Sequence, residues 1–259
     1  MTTETPAGAR HARLRALHVP GHPLVLPNVW DVAGARAVVA AGFPAVATAS
    51  AALAPALGYD DHEGTPADEM FAAVARIARA VDVPVTADIE RGYRLPADEI
   101  AARLTAAGAV GCNLEDSDAR TGGLVPAEEQ AQLLAGVRAA APDLVINARV
   151  DVFVHNAGSR SEQVEEAVRR GRAYVEAGAD CVYPIIIDRL DVSEVRTLVE
   201  RIGAPVNVAF LPGGPSLAEL AEAGVARVSF GPGLFRLVQG HLEAALRAIA
   251  AGDSPYPAT

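Results

Sequence analysis

The sequence predicts a single (β/α)8 barrel, and three observations point to that fold class. Eight short apolar runs, rich in β-branched residues, alternate with eight longer stretches of helical periodicity along the 259 residues. Proline opens several of the helical stretches and glycine follows several of them, which is the usual asymmetry of helix ends. Eight strand–helix units in about 250 residues suit such a barrel, whereas a doubly wound sheet, the main alternative, usually has fewer strands at this length.

The predicted strands are mostly apolar runs of four or five residues, as expected for strands that are buried on both faces of a parallel sheet. In chain order they are residues 24–27, 45–48, 83–87, 110–114, 144–148, 181–185, 206–210 and 226–230.

The predicted helices show recognisable ends. Pro66, Pro96 and Pro126 open three of them, and Gly108 and Gly178 follow the ends of two of the helices just before a strand. Proline suits the first turn of a helix, and glycine suits the left-handed residue that follows the last turn. In chain order the predicted helices are residues 32–41, 66–80, 96–107, 126–140, 161–177, 192–201, 216–223 and 234–251.

We expect residues 1–259 to form one domain, because no linker or low-complexity segment interrupts the alternation of strands and helices. A leading helix, roughly from Pro6 to Leu17, precedes the first strand. It is expected to cover the lower end of the barrel or a neighbouring subunit.

The composition excludes several classes of protein. With 51% hydrophobic and 21% charged residues, the chain is not expected to be disordered. A net charge of −10 argues against binding to nucleic acid or to anionic membranes, since both need cationic patches. No apolar run reaches the length of about 18 residues that a membrane span needs, and the polar, arginine-bearing residues 1–15 are not expected to act as a signal peptide. Cys112 and Cys181 lack any zinc-binding spacing and are expected to be buried thiols in a reducing cytoplasm.

All 22 residues in the combined lysine and arginine count are arginine. A chain without lysine cannot form a Schiff base, a covalent pyridoxal phosphate adduct or a P-loop. An enzyme built from this chain must activate a carbonyl group in another way, and a metal ion is the main candidate.

Acidic residues gather at the ends of the third and fourth predicted strands. Asp88 and Glu90 follow the third strand, Glu115 ends the fourth, and Arg149 ends the fifth. Side chains two residues apart share one face of a strand, and neighbouring strands lie about 4.8 Å apart. Because active sites in such barrels lie at the carboxyl ends of the strands, these groups are expected to converge there.

Two interpretations of this acidic cluster remain open. Two like charges about 4 Å apart repel by roughly 4 kcal/mol at an effective dielectric of 20, so the cluster needs protonation, arginine or a cation. Carboxylate oxygens without histidine or cysteine favour Mg²⁺ or Mn²⁺ over Zn²⁺. The alternative is a rim of salt bridges that involves Arg91 and Arg149.

Ser50 and Ala51 follow the second strand, where small residues let a ligand approach backbone amides that can hold an oxyanion. Several other groups near strand ends have either a functional or an ordinary structural interpretation. They are the potential proton carriers His62, Tyr59 and His155, the pocket residue Tyr183, and the turn 231–233 as a phosphate loop.

These features together resemble the isocitrate lyase/phosphoenolpyruvate mutase superfamily over roughly residues 10–245. The resemblance rests on five motifs in this order: LPNVWD at 26–31, LGYDD at 57–61, ADIERGY at 87–93, NLED at 113–116 and ARVD at 148–151. It implies a Mg²⁺-dependent (β/α)8 enzyme that acts on a 2-oxo acid through an enolate.

The resemblance also implies roles for individual residues. Asp88, Glu90 and Glu115 would form the metal shell, partly through water, and Asp61 would hold metal-bound water or assist the chemistry. The backbone around Ser50 and Ala51, together with Arg149 and the metal ligand Asp88, would bind the substrate.

The sequence departs from the family pattern at two places. Glu90 stands where the family usually has aspartate, and the lid segment 117–124 lacks the lysine and cysteine of isocitrate and methylisocitrate lyases. Gly122 and Gly123 still suit a mobile lid, with Arg120 as its charged contact with the substrate. The alternative is an ordinary flexible turn.

The expected function is a Mg²⁺-dependent lyase of a small 2-oxo or 2-hydroxy carboxylic acid, through C–C cleavage or decarboxylation. Two alternatives remain: C–P bond chemistry on phosphonopyruvate, and a barrel that binds a metabolite without catalysis. The resemblance further implies a homo-oligomer, a tetramer or a dimer.

Overall fold

The computed structural model describes residues 7–156 and 158–256 of the chain. Short strands alternate with helices along the whole of this part, as the sequence predicts. The strands are β1 (Leu24–Leu26), β2 (Asn28–Val29), β3 (Val46–Thr48), β4 (Val85–Asp88), β5 (Gly111–Glu115), β6 (Ser117–Asp118), β7 (Gly123–Leu124), β8 (Val145–Val150), β9 (Cys181–Pro184), β10 (Asn207–Ala209) and β11 (Arg227–Ser229). The helices are α1 (Ala7–Ala16), α2 (Val32–Ala40), α3 (Ser50–Leu57), α4 (Ala67–Ala78), α5 (Ala97–Ala107), α6 (Ala127–Ala140), α7 (Val152–His155), α8 (Arg160–Glu176), α9 (Val192–Ile202), α10 (Leu217–Glu222) and α11 (Gly233–Ala250).

The parallel strands close into a barrel. One sheet has the order β2-β3-β4-β5-β8-β9 and a second has the order β1-β11-β10. β1 and β2 are two parts of one extended segment, interrupted only at Pro27, so this segment joins the two sheets on one side. A parallel bridge between Val182 and Val206 joins them on the other side. The predicted (β/α)8 fold is therefore confirmed.

The structure adds two helices that the sequence analysis does not predict. α3 begins directly after β3, where we expected a loop, and α7 is a single turn after β8. The segment Ser50–Leu57 consists almost entirely of alanine and leucine, which favour helices, and its only proline, Pro55, lies near the C-terminal end. The expectation of a loop at this position was wrong.

The lower end of the barrel is filled by apolar side chains, with α1 lying over it. Leu14 of α1 is fully buried and belongs to a cluster with Leu24 of β1, Val145 of β8 and Val110, the residue before β5. A Cβ atom at Gly111 would lie 2.8 Å from Leu14 Cδ2 and 2.9 Å from the backbone oxygen of Val145, so both α1 and the neighbouring strand β8 leave room only for glycine here.

The opposite end of the barrel carries the polar strand ends. The strand register pairs Asp88 with Asn113, and Glu115 with Arg149, which in turn is opposite Tyr183. Four adjacent strands therefore present polar side chains to one edge of the barrel. In the described part of the chain, none of the helices has the length and apolar character of a membrane span.

Candidate active site at the carboxyl ends of the strands

Asp88, the last residue of β4, is fixed from two directions. Its Oδ2 atom accepts hydrogen bonds from Ser50 N at 2.9 Å and from Ser50 Oγ at 3.0 Å. Its own backbone N donates to Thr48 Oγ1 at 2.9 Å. The other carboxylate atom, Oδ1, is buried and has no hydrogen-bond partner. A buried carboxylate oxygen without a donor is unfavourable unless a cation or water lies next to it.

Glu90 lies beyond the end of β4 in a left-handed backbone conformation, with φ of 53°. Its side chain is buried, and it accepts hydrogen bonds from Tyr93 Oη at 2.8 Å and from Glu63 N at 2.5 Å. Burial, and then the nearby charge of Asp61, raise the pKa of Glu90 to about 7. Burial and a neighbouring negative charge therefore favour the protonated form of Glu90 unless a cation lies nearby.

Glu115 and Arg149 form an ion pair across β5 and β8, with 2.5 Å between Glu115 Oε2 and Arg149 Nη1. Asp151 holds the same guanidinium through two further contacts, at 2.6 Å to Nε and 2.7 Å to Nη2. Burial alone would lower the pKa of Arg149, but the charges of Asp151 and Glu115 outweigh it and raise the pKa. Burial raises the pKa of Glu115 well above its usual range, although Arg149 opposes this shift.

A buried network behind Glu115, which the sequence analysis missed, fixes the ends of β5 and β8. Asp116 is fully buried and accepts hydrogen bonds from Tyr174 Oη at 2.7 Å, Arg170 Nη1 at 3.0 Å and Asp151 N at 2.8 Å. The donors on α8 are distant in the sequence, so no local pattern indicates them. The contact between Arg149 and Asp151 was easier to predict from the sequence, because residues two apart share one strand face.

A second buried cation lies below the carboxylates, inside the barrel. Arg227 is 1% exposed, and its Nη2 atom donates to Asn113 Oδ1 at 3.3 Å. Asn147 donates to the same oxygen at 2.8 Å. Burial lowers the pKa of Arg227 below its usual value, although nearby groups, Asp88 among them, oppose this shift. Nothing in the sequence indicated Arg227 as a residue of the site except its position in the predicted eighth strand.

The structure places the other residues predicted for substrate binding around this edge. Ser50 and Ala51 begin α3, whose first N–H groups have no acceptor within the helix. Ser50 is buried and already donates to Asp88, whereas Ala51 is half-buried. Asp61 is half-buried, and its Oδ1 atom is shielded from solvent without a hydrogen-bond partner.

The predicted lid is a small antiparallel hairpin, formed by β6 and β7. Arg120, at its tip, does not reach the strand ends: its side chain is 69% exposed and contacts Asp118 at 3.4 Å. At the base of the hairpin, Ser117 Oγ donates to Asp151 Oδ2 at 2.6 Å and lies 2.9 Å from His155 Nε2. The hairpin therefore contacts the site through Ser117, a residue to which the sequence analysis gave no role.

Two of the other sequence candidates have structural partners. Tyr59 Oη donates to Glu69 at 2.5 Å. The backbone N atoms of Phe230 and Gly231 donate to Asn28 Oδ1, at 2.8 and 3.0 Å. The Asn28 side chain therefore already accepts hydrogen bonds from the amides that a phosphate would need. This contact favours the structural interpretation of the turn over a phosphate loop.

The residues at the strand ends suit a hard divalent cation held partly through water. Across residues 7–156 and 158–256, no three histidine, cysteine, aspartate or glutamate side chains are grouped closely enough to surround an ion directly. The unpartnered Oδ1 of Asp88 is available as a direct ligand, and Glu90 and Glu115 are buried acids nearby. Carboxylate oxygens with several water ligands are the environment that Mg²⁺ prefers.

Comparison with known proteins identifies the family of the chain. A sequence model of the family described as phosphoenolpyruvate phosphomutase matches residues 14–250. The chain belongs to this family. The resemblance to the isocitrate lyase/phosphoenolpyruvate mutase superfamily is therefore confirmed, and the chain is an enzyme of this superfamily of lyases and mutases.

Named relatives in the superfamily carry out different reactions. The 2-methylisocitrate lyase of Bacillus subtilis (strain 168) is 30% identical over 203 residues, which are 75% of this chain and 65% of the lyase. A proposed phosphonomutase from Burkholderia cenocepacia J2315 has a solved structure with 40% identity and a TM-score of 0.87, covering 92% of this chain and 99% of that chain. A phosphonopyruvate hydrolase solved with oxalate and Mg²⁺ is 26% identical with a TM-score of 0.81, covering 94% of this chain and 88% of the hydrolase.

Proposed function

We propose that this phosphoenolpyruvate phosphomutase family member is a Mg²⁺-dependent lyase that converts a small 2-oxo or 2-hydroxy carboxylic acid through an enolate, by C–C cleavage or decarboxylation. The observation that carries the proposal is the buried, unpartnered Oδ1 of Asp88 beside the buried acids Glu90 and Glu115. Mn²⁺ would serve in place of Mg²⁺, because it accepts the same oxygen ligands.

In this proposal the carboxylates hold the ion and Arg149 holds the substrate. Asp88 would bind the ion directly, and Glu90 and Glu115 would hold its water ligands. The bound ion would polarise the carbonyl oxygen and stabilise the negative charge of the enolate. The absence of lysine from the sequence supports this division of roles, because no amine is present to activate the carbonyl group.

Arg149 is prepared to bind a carboxylate. Asp151 fixes its Nε and Nη2 atoms, so the guanidinium plane is oriented before a substrate arrives. The remaining Nη1 atom contacts Glu115, and Nη1 would be free to bind the substrate carboxylate when Glu115 takes part in the metal shell. In the first turn of α3, Ala51 would offer its backbone N–H group to the same substrate, and the neighbouring Ser50 would keep its contact with Asp88. Asp61 would accept a hydrogen bond from metal-bound water through Oδ1.

The proposal is tested by measuring pyruvate and carbon dioxide release from a panel of 2-oxo and 2-hydroxy acids, with Mg²⁺ and with EDTA. We expect turnover of at least one acid that is lost in EDTA and restored by Mg²⁺ or Mn²⁺. Equal rates in both conditions would overturn the role of the metal. Tight Mg²⁺-dependent binding of oxalate without turnover of any acid would show a metabolite-binding barrel instead.

A second candidate function is C–P bond chemistry, which the likeness to the phosphonomutase and the phosphonopyruvate hydrolase favours. The metal site and Arg149 would serve both reactions, because both would form an enolate as the C–C or C–P bond is broken. Phosphorus NMR on phosphonopyruvate distinguishes the two functions. Release of phosphate or formation of phosphoenolpyruvate would show that the enzyme acts on C–P bonds instead of cleaving C–C bonds.

We also propose that the enzyme works in the cytoplasm as a homo-oligomer. Cys112 and Cys181 are buried and not joined in a disulfide, which suits a reducing compartment. Helix α11 leaves large apolar side chains exposed, and a second copy of the chain is the partner that would cover them. Enzymes of this family act on small molecules and are typically oligomeric.

A further inference from the structure

The contact between the hairpin and the site has a defined hydrogen-bond direction. Asp151 accepts two N–H groups from Arg149, so its carboxylate acts only as an acceptor. Ser117 Oγ, 2.6 Å from Asp151 Oδ2, must therefore donate its single proton to Asp151. The second neighbour of the hydroxyl, His155 Nε2 at 2.9 Å, must then be the donor to Ser117 Oγ. His155 thus carries a proton on Nε2, whether the ring is neutral or charged.

This chain of donors ends on the atom that orients Arg149. Asp151 Oδ2 accepts from Arg149 Nη2 at 2.7 Å and from Ser117 Oγ at 2.6 Å. Asp151 is completely buried, and its backbone N is fixed by Asp116. A change at Ser117 or His155 therefore alters the hydrogen bonding of Asp151 Oδ2, and this oxygen determines the plane of the guanidinium.

We propose that Ser117 and His155 are positioning residues, which hold the Asp151–Arg149 pair in the orientation that binds the substrate carboxylate. Ser117 and His155 also connect the base of the β6–β7 hairpin to the strand ends, since Ser117 begins that hairpin. This inference rests on the proposed function, because Arg149 binds a carboxylate only if the substrate is an acid. It gives a function to a half-buried histidine that the rest of the mechanism does not use.

The test measures binding of oxalate in the presence of Mg²⁺ by calorimetry. Oxalate is a planar dianion that resembles the enolate of pyruvate. We expect Ser117→Ala and His155→Leu each to weaken binding by about three-fold to ten-fold, the effect of losing one hydrogen bond. His155→Gln keeps an N–H donor and should restore most of the affinity. The double variant should lose little more than either single variant, because both act through Asp151.

Thr121→Ala is the matched control, because it removes a hydroxyl from the same hairpin at a residue that interacts with Asp118 rather than Asp151. Its oxalate affinity should equal that of the wild type. Equal affinity of Ser117→Ala, His155→Leu and the wild type would overturn the positioning role while leaving the proposed function intact. A wild-type enzyme that binds no oxalate with Mg²⁺ would overturn the proposed function and this inference with it.

A second measurement does not depend on oxalate. Nitrogen-15 NMR of the histidine side chains, assigned with His155→Gln, should show His155 protonated at Nε2. Ser117→Ala should shift the Nε2 resonance, because its acceptor is removed. A neutral ring protonated only at Nδ1 would contradict the direction of the hydrogen-bond chain and overturn the inference.

Discussion

Asp88 combines two properties that no other site carboxylate shares in the described residues: one oxygen is fixed by Ser50 and the other is buried without a donor. We expect Asp88→Asn to keep the contact with Ser50 but to weaken Mn²⁺ binding by at least about ten-fold, because the amide lacks the negative charge. Titration of Mn²⁺ followed by paramagnetic resonance measures this. Asp60→Asn, at an exposed acid of the neighbouring loop, should bind Mn²⁺ as the wild type does. Equal loss in both variants would contradict a specific role for Asp88.

His18 connects α1 with the barrel and makes the stability of the enzyme depend on pH. Its Nδ1 atom donates to Leu14 O at 2.9 Å, and burial, followed by the charge of Arg227, lowers its pKa from 6.5 to about 4. Between these values the unfolded chain binds a proton at His18 and the folded chain does not. The free energy of unfolding should therefore fall as pH decreases from 6.5 to 4, by up to about 3 kcal/mol from this group.

Urea unfolding at a series of pH values measures this dependence. His18→Gln, which cannot titrate, should have a flatter profile over the same range, even if it is less stable at neutral pH. Parallel profiles for the variant and the wild type would show that His18 is not the responsible group.

At the level of elements, the loop after β4 depends on close packing of its backbone against α5. Gly92 has φ of 89°, and a Cβ atom there would lie 2.5 Å from Ile100 Cδ1 and 3.6 Å from Leu114 Cδ2. Gly203 also has a positive φ, of 73°, but a Cβ atom there meets nothing within 4 Å. The two positions therefore differ in the room that they leave for a Cβ atom, but they share a backbone conformation that alanine disfavours.

We expect Gly92→Ala to lower the free energy of unfolding by about 1–3 kcal/mol more than Gly203→Ala does, because only the first substitution overpacks the core. Urea unfolding of the two variants gives the difference. Equal decreases in the free energy of unfolding for the two variants would mean that the Ile100 side chain moves aside without an energetic cost. Because Gly92 follows Glu90, Gly92→Ala should also reduce Mg²⁺-dependent oxalate binding.

Secondary structure could be predicted where the pattern is local, and less well where it is set by packing. The helices that begin after Pro66, Pro96 and Pro126 were found, with ends within two residues of the observed α4, α5 and α6. α3 was missed, because a run of small residues after a strand also suits a loop. The left-handed conformation of Glu90 was missed as well, since glycine is the residue that usually indicates it.

At the scale of the whole molecule, helix α11 leaves an apolar surface uncovered. None of its residues is buried, although Phe235 packs against Trp30 with ring centroids 5.1 Å apart. Four large apolar residues form one exposed stripe at helical spacing: Val238, Leu242, Leu246 and Ile249. An apolar stripe of this length is typical of an interface.

We therefore predict a dimer or tetramer in solution, with α11 in the interface. Light scattering should give a mass of at least two chains for the wild type. Leu242→Glu combined with Leu246→Glu should reduce it, because two charges would be buried in the interface. Glu243→Gln, on the same helix, should leave the mass unchanged. A monomeric wild type would contradict the prediction.

The sequence by itself determined the barrel and the edge at which its polar residues meet. Eight apolar runs fix the number of strands, and the two-residue period of a strand places Asn113 with Glu115 and Asn147 with Arg149. Only the tertiary structure decided which partner each charge receives. Asp116 is bound by Arg170, 54 residues away on α8, and the Arg149–Asp151 pair is bound by Ser117 from the hairpin. Such partners depend on how helices and loops pack over the strand ends, and local sequence periodicity does not encode that packing.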